Sequence, residues 1–222
     1  MRLNIAIDGP VSAGKSSISD AVAKKLGILH LDTGAMYRAV GLAVLQHGVD
    51  LQDEEAVTDL CKQSQVDVRY ENGAQVTLLD GRDVTGMIRS QEVGTAASAV
   101  SRYAGVRRLL VQRQQELAQT QPMLLDGRDI GTVVLPNAPV KVYLTATPEA
   151  RAMRRLKQLL EKGETADFAE VLAEVNARDE QDMNRAVDPL RQAEDAIVVD
   201  SSNLTFEETV QAILRLAEAV NV

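Results

Sequence analysis

The stretch Asp8-Gly9-Pro10-Val11-Ser12-Ala13-Gly14-Lys15-Ser16 decides how this chain is read, because Gly9 to Ser16 has the spacing Gly-x-x-x-x-Gly-Lys-Ser. Before it runs Leu3-Asn4-Ile5-Ala6-Ile7, an apolar segment that reads as a buried strand. After it, Ile18, Val22 and Leu26 recur at helical spacing. Strand, glycine loop and helix together are the context that makes this spacing a phosphate-binding loop. Gly9 and Gly14 let the backbone bend so that its N–H groups face an anion, and the following helix adds the positive end of its dipole. Lys15 is placed to reach the outer phosphates and the Ser16 hydroxyl to ligate Mg²⁺.

The rest of the chain alternates in the same way. Strands are predicted at Leu3–Asp8, Ile28–Leu31, Met123–Asp126, Val140–Thr145 and Ile197–Val199. Helices are predicted at Lys15–Leu26, Ala35–Gln46, Glu54–Gln63, Val106–Gln119, Pro148–Glu161, Asp167–Asn184 and Thr205–Ala219. This alternation specifies an α/β protein with a parallel sheet and helices on both faces. One region departs from it. Val66–Tyr70 and Gln75–Leu79 flank Asn72-Gly73, a hairpin signal, and Asp80-Gly81 turns the chain again into Val84-Thr85. A small antiparallel sheet followed by a helix over Ser90–Ser101 is expected here, as an insertion at about residues 64–104.

Composition narrows the partners. The 222 residues are 45% hydrophobic, with two Phe, four Tyr and no Trp, so the core is aliphatic, as suits a parallel sheet under helices. A net charge of −8 argues against binding nucleic acid or anionic membrane. An anionic ligand must then be caught by local arginines. Cys61 is the single cysteine and reads as a small core residue; His30 and His47 have no metal-ligand partners at useful spacing. The chain opens on Met1-Arg2-Leu3 and leads into a strand, and no apolar run is long enough to span a bilayer, so a cytoplasmic protein is expected.

The tetrapeptide Asp-Gly-Arg-Asp occurs at Asp80–Asp83 and again at Asp126–Asp129. The first copy lies in the hairpin region and reads as turn chemistry. The second follows the strand Met123-Leu124-Leu125, and ligands of α/β sheets sit at the carboxyl ends of strands, so it is the functional candidate. Leu31–Arg38 passes from strand to helix, where Asp32 or Thr33 can cap the helix and Arg38 points back toward the strand ends. Arg178, Asp182 and Arg185, spaced i, i+4, i+7, share one helix face, and guanidinium forks suit phosphate. Arg151, Arg154 and Arg155 admit two readings, a lid over the transferring phosphoryl group or an exposed basic face.

Four segments taken together resemble the bacterial cytidylate kinases, a branch of the nucleoside monophosphate kinases. They are Gly9-Pro10-x-x-Ala13-Gly14-Lys15-Ser16, Leu31-Asp32-Thr33-Gly34-Ala35-Met36-Tyr37-Arg38, Asp126-Gly127-Arg128-Asp129-Ile130-Gly131-Thr132-Val133-Val134 and Arg178-Asp179-x-x-Asp182-x-Asn184-Arg185. The resemblance spans essentially the whole chain. It implies a single P-loop nucleoside monophosphate kinase domain with five parallel strands, the insertion enlarging the monophosphate region and a short lid at about residues 151–168. It implies phosphoryl transfer from ATP to CMP or dCMP with Mg²⁺. A monomer is expected, since no long exposed apolar helix face stands out in the sequence. ATP would lie on Gly9, Pro10, Val11, Ser12, Ala13, Gly14, Lys15, Ser16 and Ser17, with Ser16 on the metal. Arg38, Arg128 and Arg185 would hold the CMP phosphate, and Arg178 and Asp182 the ribose. Ser98, Arg107 and Asp129 would read cytosine, Thr33 keeps a hydroxyl where some members carry Ser, and Asp32 would help orient the acceptor. An Arg beside an Asp complements the cytosine N4 amine and its N3 and O2 acceptors, whereas uracil would turn O4 toward the carboxylate.

Two rival readings differ in class. For a regulatory GTPase, Asp83-Val84-Thr85-Gly86 fits a loose Asp-x-x-Gly pattern, but it falls in the hairpin region and no Asn-Lys-x-Asp segment follows. A kinase of another small acceptor, such as shikimate or UMP, is the rival among enzymes.

Overall fold

Ile5, Ala6 and Ile7 are fully buried because the strand they form has neighbours on both sides and helices over its faces, so no polar alternation is possible. The computed structural model, in which this strand is β1, describes residues 3–220. In chain order the elements are β1 (Ile5–Asp8), α1 (Lys15–Leu26), β2 (Leu29–Asp32), α2 (Thr33–His47), α3 (Glu54–Gln63), β3 (Val66–Glu71), β4 (Ala74–Leu79) and β5 (Arg82–Asp83). They continue with α4 (Gln91–Val100), α5 (Ala104–Thr120), β6 (Met123–Gly127), β7 (Val140–Thr145), α6 (Pro148–Glu161), α7 (Phe168–Asn184), β8 (Ile197–Asp200) and α8 (Phe206–Val220). A five-stranded parallel sheet has the order β2-β6-β1-β7-β8, and a second sheet the order β3-β4-β5. Among the described residues no helix is long and apolar enough to cross a membrane.

Two compact units are formed, one from the described parts of Met1–Ile28 and Leu124–Val222, the other from Leu29–Met123. In the first unit β1 pairs with β6, Asp8 opposite Gly127, and with β7, Asp8 opposite Tyr143. The glycine loop therefore leaves the carboxyl end of a central strand, where α/β sheets bind ligands. Ile5, Ile7, Val142 and Leu144 pack with Ile18 and Val22 of α1 and with Val210, Ile213 and Leu214 of α8. A separate cluster joins Ala152 and Leu159 of α6 to Val171 and Val175 of α7, with Val11 of the glycine loop packed against it.

The second unit holds the three-stranded sheet. Asn72 and Gly73 sit at φ 52° and 80°, the positive values a tight two-residue hairpin needs, and Asp80-Gly81 repeats this at 51° and 77°. The first Asp-Gly-Arg-Asp copy is thus turn chemistry, as its setting suggested. The third strand is Arg82–Asp83, opposite Leu79 and Leu78, instead of Val84-Thr85. The two-residue turn closes directly onto Arg82, so the pairing starts there; Val84 N still donates to Thr77 O at 3.0 Å, and its side chain is buried as a 3-10 turn approaches. In the same unit α2 and α4 pack closely: a Cβ on Gly41 would lie 2.8 Å from the Ala97 backbone nitrogen. Cys61 and His30 are buried, as small core and strand residues, and His47 ends α2 with its Nδ1 2.8 Å from the Ala43 carbonyl.

Candidate active site

Helix starts are marked by their caps. Asp32 Oδ1 accepts from Ala35 N at 3.1 Å and so begins α2 at Thr33, while α1 begins at Lys15 behind Gly14, φ 87°, with no side-chain cap. The first amides of α1 are thereby left for an outside acceptor, which is how helix N-termini hold anions. Gly9, at φ 153°, would place a Cβ 1.9 Å from the Leu144 carbonyl oxygen, so the sharp exit from β1 admits only glycine. Ser12 carries φ 59°, a left-handed turn at the loop tip.

Lys15 is buried and folded back, its Nζ donating to Gly9 O at 2.8 Å and to Pro10 O at 2.7 Å. Burial, with Arg128 nearby, lowers its pKa from the usual 10.5 to about 7, against the pull of Asp126, Asp182 and Asp8. Ser16 Oγ donates to Asp126 Oδ2 at 2.9 Å, so the hydroxyl and the first carboxylate of the second Asp-Gly-Arg-Asp copy meet across the β1–β6 pair. Ser17 turns its hydroxyl to Gly14 O at 3.0 Å.

Arg128 Nε donates to Asp182 Oδ2 at 2.7 Å and its Nη1 to Gly127 O at 3.3 Å. Burial opposes ionisation of Asp182, but Arg128, Arg178 and Arg185 hold its carboxyl below the usual range. Arg185 closes α7, donates to Asp188 O, and lies 3.7 Å from the buried Asp129. The first unit therefore brings the loop Gly9–Ser17 together with Arg128, Asp129, Arg178, Asp182 and Arg185.

Within the second unit, Asp32 Oδ2 lies 3.6 Å from Arg89, and Gln75 bridges the Asp32 main-chain N–H and carbonyl at 2.7 and 3.2 Å. Thr33 is buried at the start of α2. Arg38 donates to Ile88 O at 3.0 Å and Ser90 O at 3.4 Å, its guanidinium lying where a Gly94 Cβ would come within 3.1 Å. Ser98 is on α4. Arg107 is fully buried, donates to Ser101 O, and stacks 5.4 Å above the Tyr37 ring. Gln75 and Arg89 give no signal in the sequence, since their partners lie on other elements.

Sequence reasoning also missed Asp8. Its buried carboxylate accepts from Ile130 N and Gly131 N, both at 2.7 Å, and so fixes the turn that carries Arg128 and Asp129. Burial raises its pKa to about 6, although those two N–H groups work to lower it. The exposed-face reading of the Arg151 cluster fails at Arg151, which is buried and paired with Asp179 at 2.6 Å; Arg154 is half-buried and donates to Ala13 O and Ser201 O.

The family model for cytidylate kinase matches residues 5–219. The chain belongs to the cytidylate kinase family. It is 49% identical over 215 residues to a cytidylate kinase of Caldicellulosiruptor bescii, covering 97% of this chain and 95% of the other. A cytidylate kinase of Caldicellulosiruptor saccharolyticus is 50% identical with the same coverage. The shikimate kinase of Bacteroides thetaiotaomicron superposes over the full length of both chains with a TM-score of 0.51 at 15% identity, which shows a shared fold.

Proposed function

We propose that this kinase transfers the γ-phosphoryl group of ATP to CMP or dCMP, giving ADP and CDP or dCDP, with Mg²⁺ and as a monomer. One observation carries the reading. In the first unit Ser16 Oγ donates to Asp126 Oδ2 at 2.9 Å, and the chain runs on from Asp126 to Arg128, which is paired with Asp182 at 2.7 Å, so the loop suited to a donor phosphate adjoins the guanidinium groups suited to an acceptor phosphate.

The chemistry needs in-line positioning and positive charge more than a covalent group or a strong base. The amides of Ser12–Ser16 cradle the donor phosphates, and the Lys15 ammonium supplies positive charge to the transferring group. Ser16 Oγ and Asp126 form a hard oxygen pair of the kind Mg²⁺ prefers, and Ser16 would hold the ion on its hydroxyl. When bound, Mg²⁺ supplies charge neutralisation at the β- and γ-phosphate oxygens. Arg128 and Arg185 hold the CMP phosphate, the role the family resemblance also gives Arg38. Arg178 and Asp182 take the ribose, whereas Asp129, Arg107 and Ser98 read cytosine. Asp32 and Thr33 orient the acceptor.

The experiment is a screen of nucleoside monophosphates and small alcohols, shikimate among them, with ATP and Mg²⁺. ADP release that needs CMP or dCMP is expected. Faster turnover with UMP or shikimate would replace the acceptor, and GTP binding without CMP-dependent turnover would replace the enzyme with a switch.

A further inference from the structure

A loop that binds phosphate through N–H groups has to dispose of its carbonyl oxygens, which would repel the same anion. In this chain five of them have a donor. Gly9 O and Pro10 O accept from Lys15, and Gly14 O accepts from Ile18 N and Ser17 Oγ. Val11 O accepts from Arg151 Nη1 at 3.0 Å, and Ala13 O from Arg154 Nη1 at 3.3 Å. Both arginines are on α6 and both are anchored at the carboxyl edge of the parallel sheet. Arg151 Nε donates to Ala146 O just after β7, and Arg154 donates to Ser201 O and Oγ just after β8.

Asp179 of α7 completes the clamp. Its Oδ2 lies 2.6 Å from Arg151 Nη2, and its Oδ1 accepts from Val11 N at 3.3 Å. The N–H and the carbonyl of Val11 are thus held by the two members of one buried ion pair. Ser12, the next residue, is the one in the left-handed conformation.

We propose that Arg151, Arg154 and Asp179 are positioning residues for the donor triphosphate: they hold the glycine loop open and turn its carbonyls away before ATP arrives. Pre-forming a site raises affinity by removing the ordering cost from the binding step. The inference rests on the reading of Gly9–Ser16 as the donor site. It differs from a direct role in the sign of one effect. If Arg151 served ATP as a phosphate ligand, Asp179 would be a competitor for its guanidinium, and removing that charge would free Arg151 and tighten ATP. If the pair holds the loop, removing either partner weakens ATP.

The test is calorimetric binding of Mg·ATP and, separately, of CMP to the wild type, Lys15→Met, Asp179→Asn, Arg151→Lys and Arg154→Gln, with hydrogen exchange of the nucleotide-free proteins. Asp179→Asn and Arg151→Lys are expected to weaken ATP by about tenfold or more with CMP within about twofold, a tenfold change being about 1.4 kcal/mol. Faster exchange confined to the amides of residues 11–15 is expected with it. Unchanged or tighter ATP binding in Asp179→Asn, or an Arg151→Lys variant that binds ATP normally, overturns the proposal. Arg154→Gln, at a half-buried site, keeps the question answerable if the buried variants do not fold: loosened loop amides and weaker ATP support the clamp, and wild-type values of both refute it. Equal ATP binding by the wild type and Lys15→Met would instead remove the donor-site reading itself.

Discussion

Replacing Lys15 by Met separates what this side chain does for the fold from what it does for phosphoryl transfer. Met keeps the length and apolar stem and removes the ammonium. In the wild type, burial lowers the lysine pKa from 10.5 to about 7, a preference against the charged form of about 5 kcal/mol at 1.36 kcal/mol per unit. Against that stand two charge-assisted hydrogen bonds, to Gly9 O and Pro10 O, worth about 1.5–3 kcal/mol each. The two sides nearly cancel, so Lys15→Met is expected to change the unfolding free energy by no more than about 2 kcal/mol. The sign with pH follows from linkage. The folded-state pKa lies below the unfolded one, the unfolded chain binds the extra proton between pH 7 and 10.5, and wild-type stability rises with pH across that window. Lys15→Met removes that slope, which denaturant unfolding at pH 7 and pH 9 measures. Turnover should respond quite differently. Losing a cation aimed at charge that develops in the transition state costs about 3–4 kcal/mol, or roughly 100- to 1000-fold in kcat. A folded Lys15→Met variant with near-normal CMP-dependent turnover would refute the assignment of the glycine loop.

Three further substitutions probe the acceptor side and the turn behind it. Arg185→Ala is expected to weaken CMP by about 2–5 kcal/mol and ATP far less, and equal losses in calorimetry would leave Arg185 only a structural partner of Asp129. Asp129→Ala should cut the ratio of kcat/KM for CMP over UMP by about 10- to 150-fold, the worth of one hydrogen bond to a charged group; an unchanged ratio means that Asp129 only orients Arg185. Asp8, with its pKa raised from 3.8 to about 6, favours the fold while protonated, so its contribution is full below pH 4 and is lost by about 3 kcal/mol as pH rises through 6. Asp8→Asn removes that slope, and denaturant melts from pH 4 to 7 showing equal slopes in both proteins would disprove the buried-acid account.

Elements that declare themselves locally were legible. Pro148–Glu161 and Glu54–Gln63 were read to the residue, because Thr147 with Pro148 and Asp53 mark their first turns. Asn72-Gly73 gave the hairpin because its two residues tolerate positive φ. The third strand was misplaced by two residues, since a two-residue turn and a longer loop look alike until Leu79 is seen opposite Arg82. The glycine loop was legible for the same local reason: its spacing is a backbone requirement, and Gly9 meets it where a Cβ would strike Leu144 O.

What was not legible were the partners, and these decide what each charged residue is for. Arg151 looked like a member of a surface or lid cluster because its helix neighbours Arg154 and Arg155 are also basic. Its actual partner atoms are Val11 O, 140 positions away, and Asp179. Asp179 sits between Arg178 and Asp182, yet its carboxylate is spent on Val11 N, 168 positions earlier. A buried charge with no partner is costly, so every such side chain must find one, but the requirement does not say which. One physical clue was available. Asp8 ends an otherwise apolar strand directly before the glycine loop, and a carboxylate forced into that position needs donors at the sheet's carboxyl edge. The amides of Ile130 and Gly131 are there because β6 lies beside β1 with Gly127 opposite Asp8. The same pairing that creates the edge therefore supplies the donors, and through them the turn bearing Arg128 and Asp129 is tied to the strand that launches the phosphate loop.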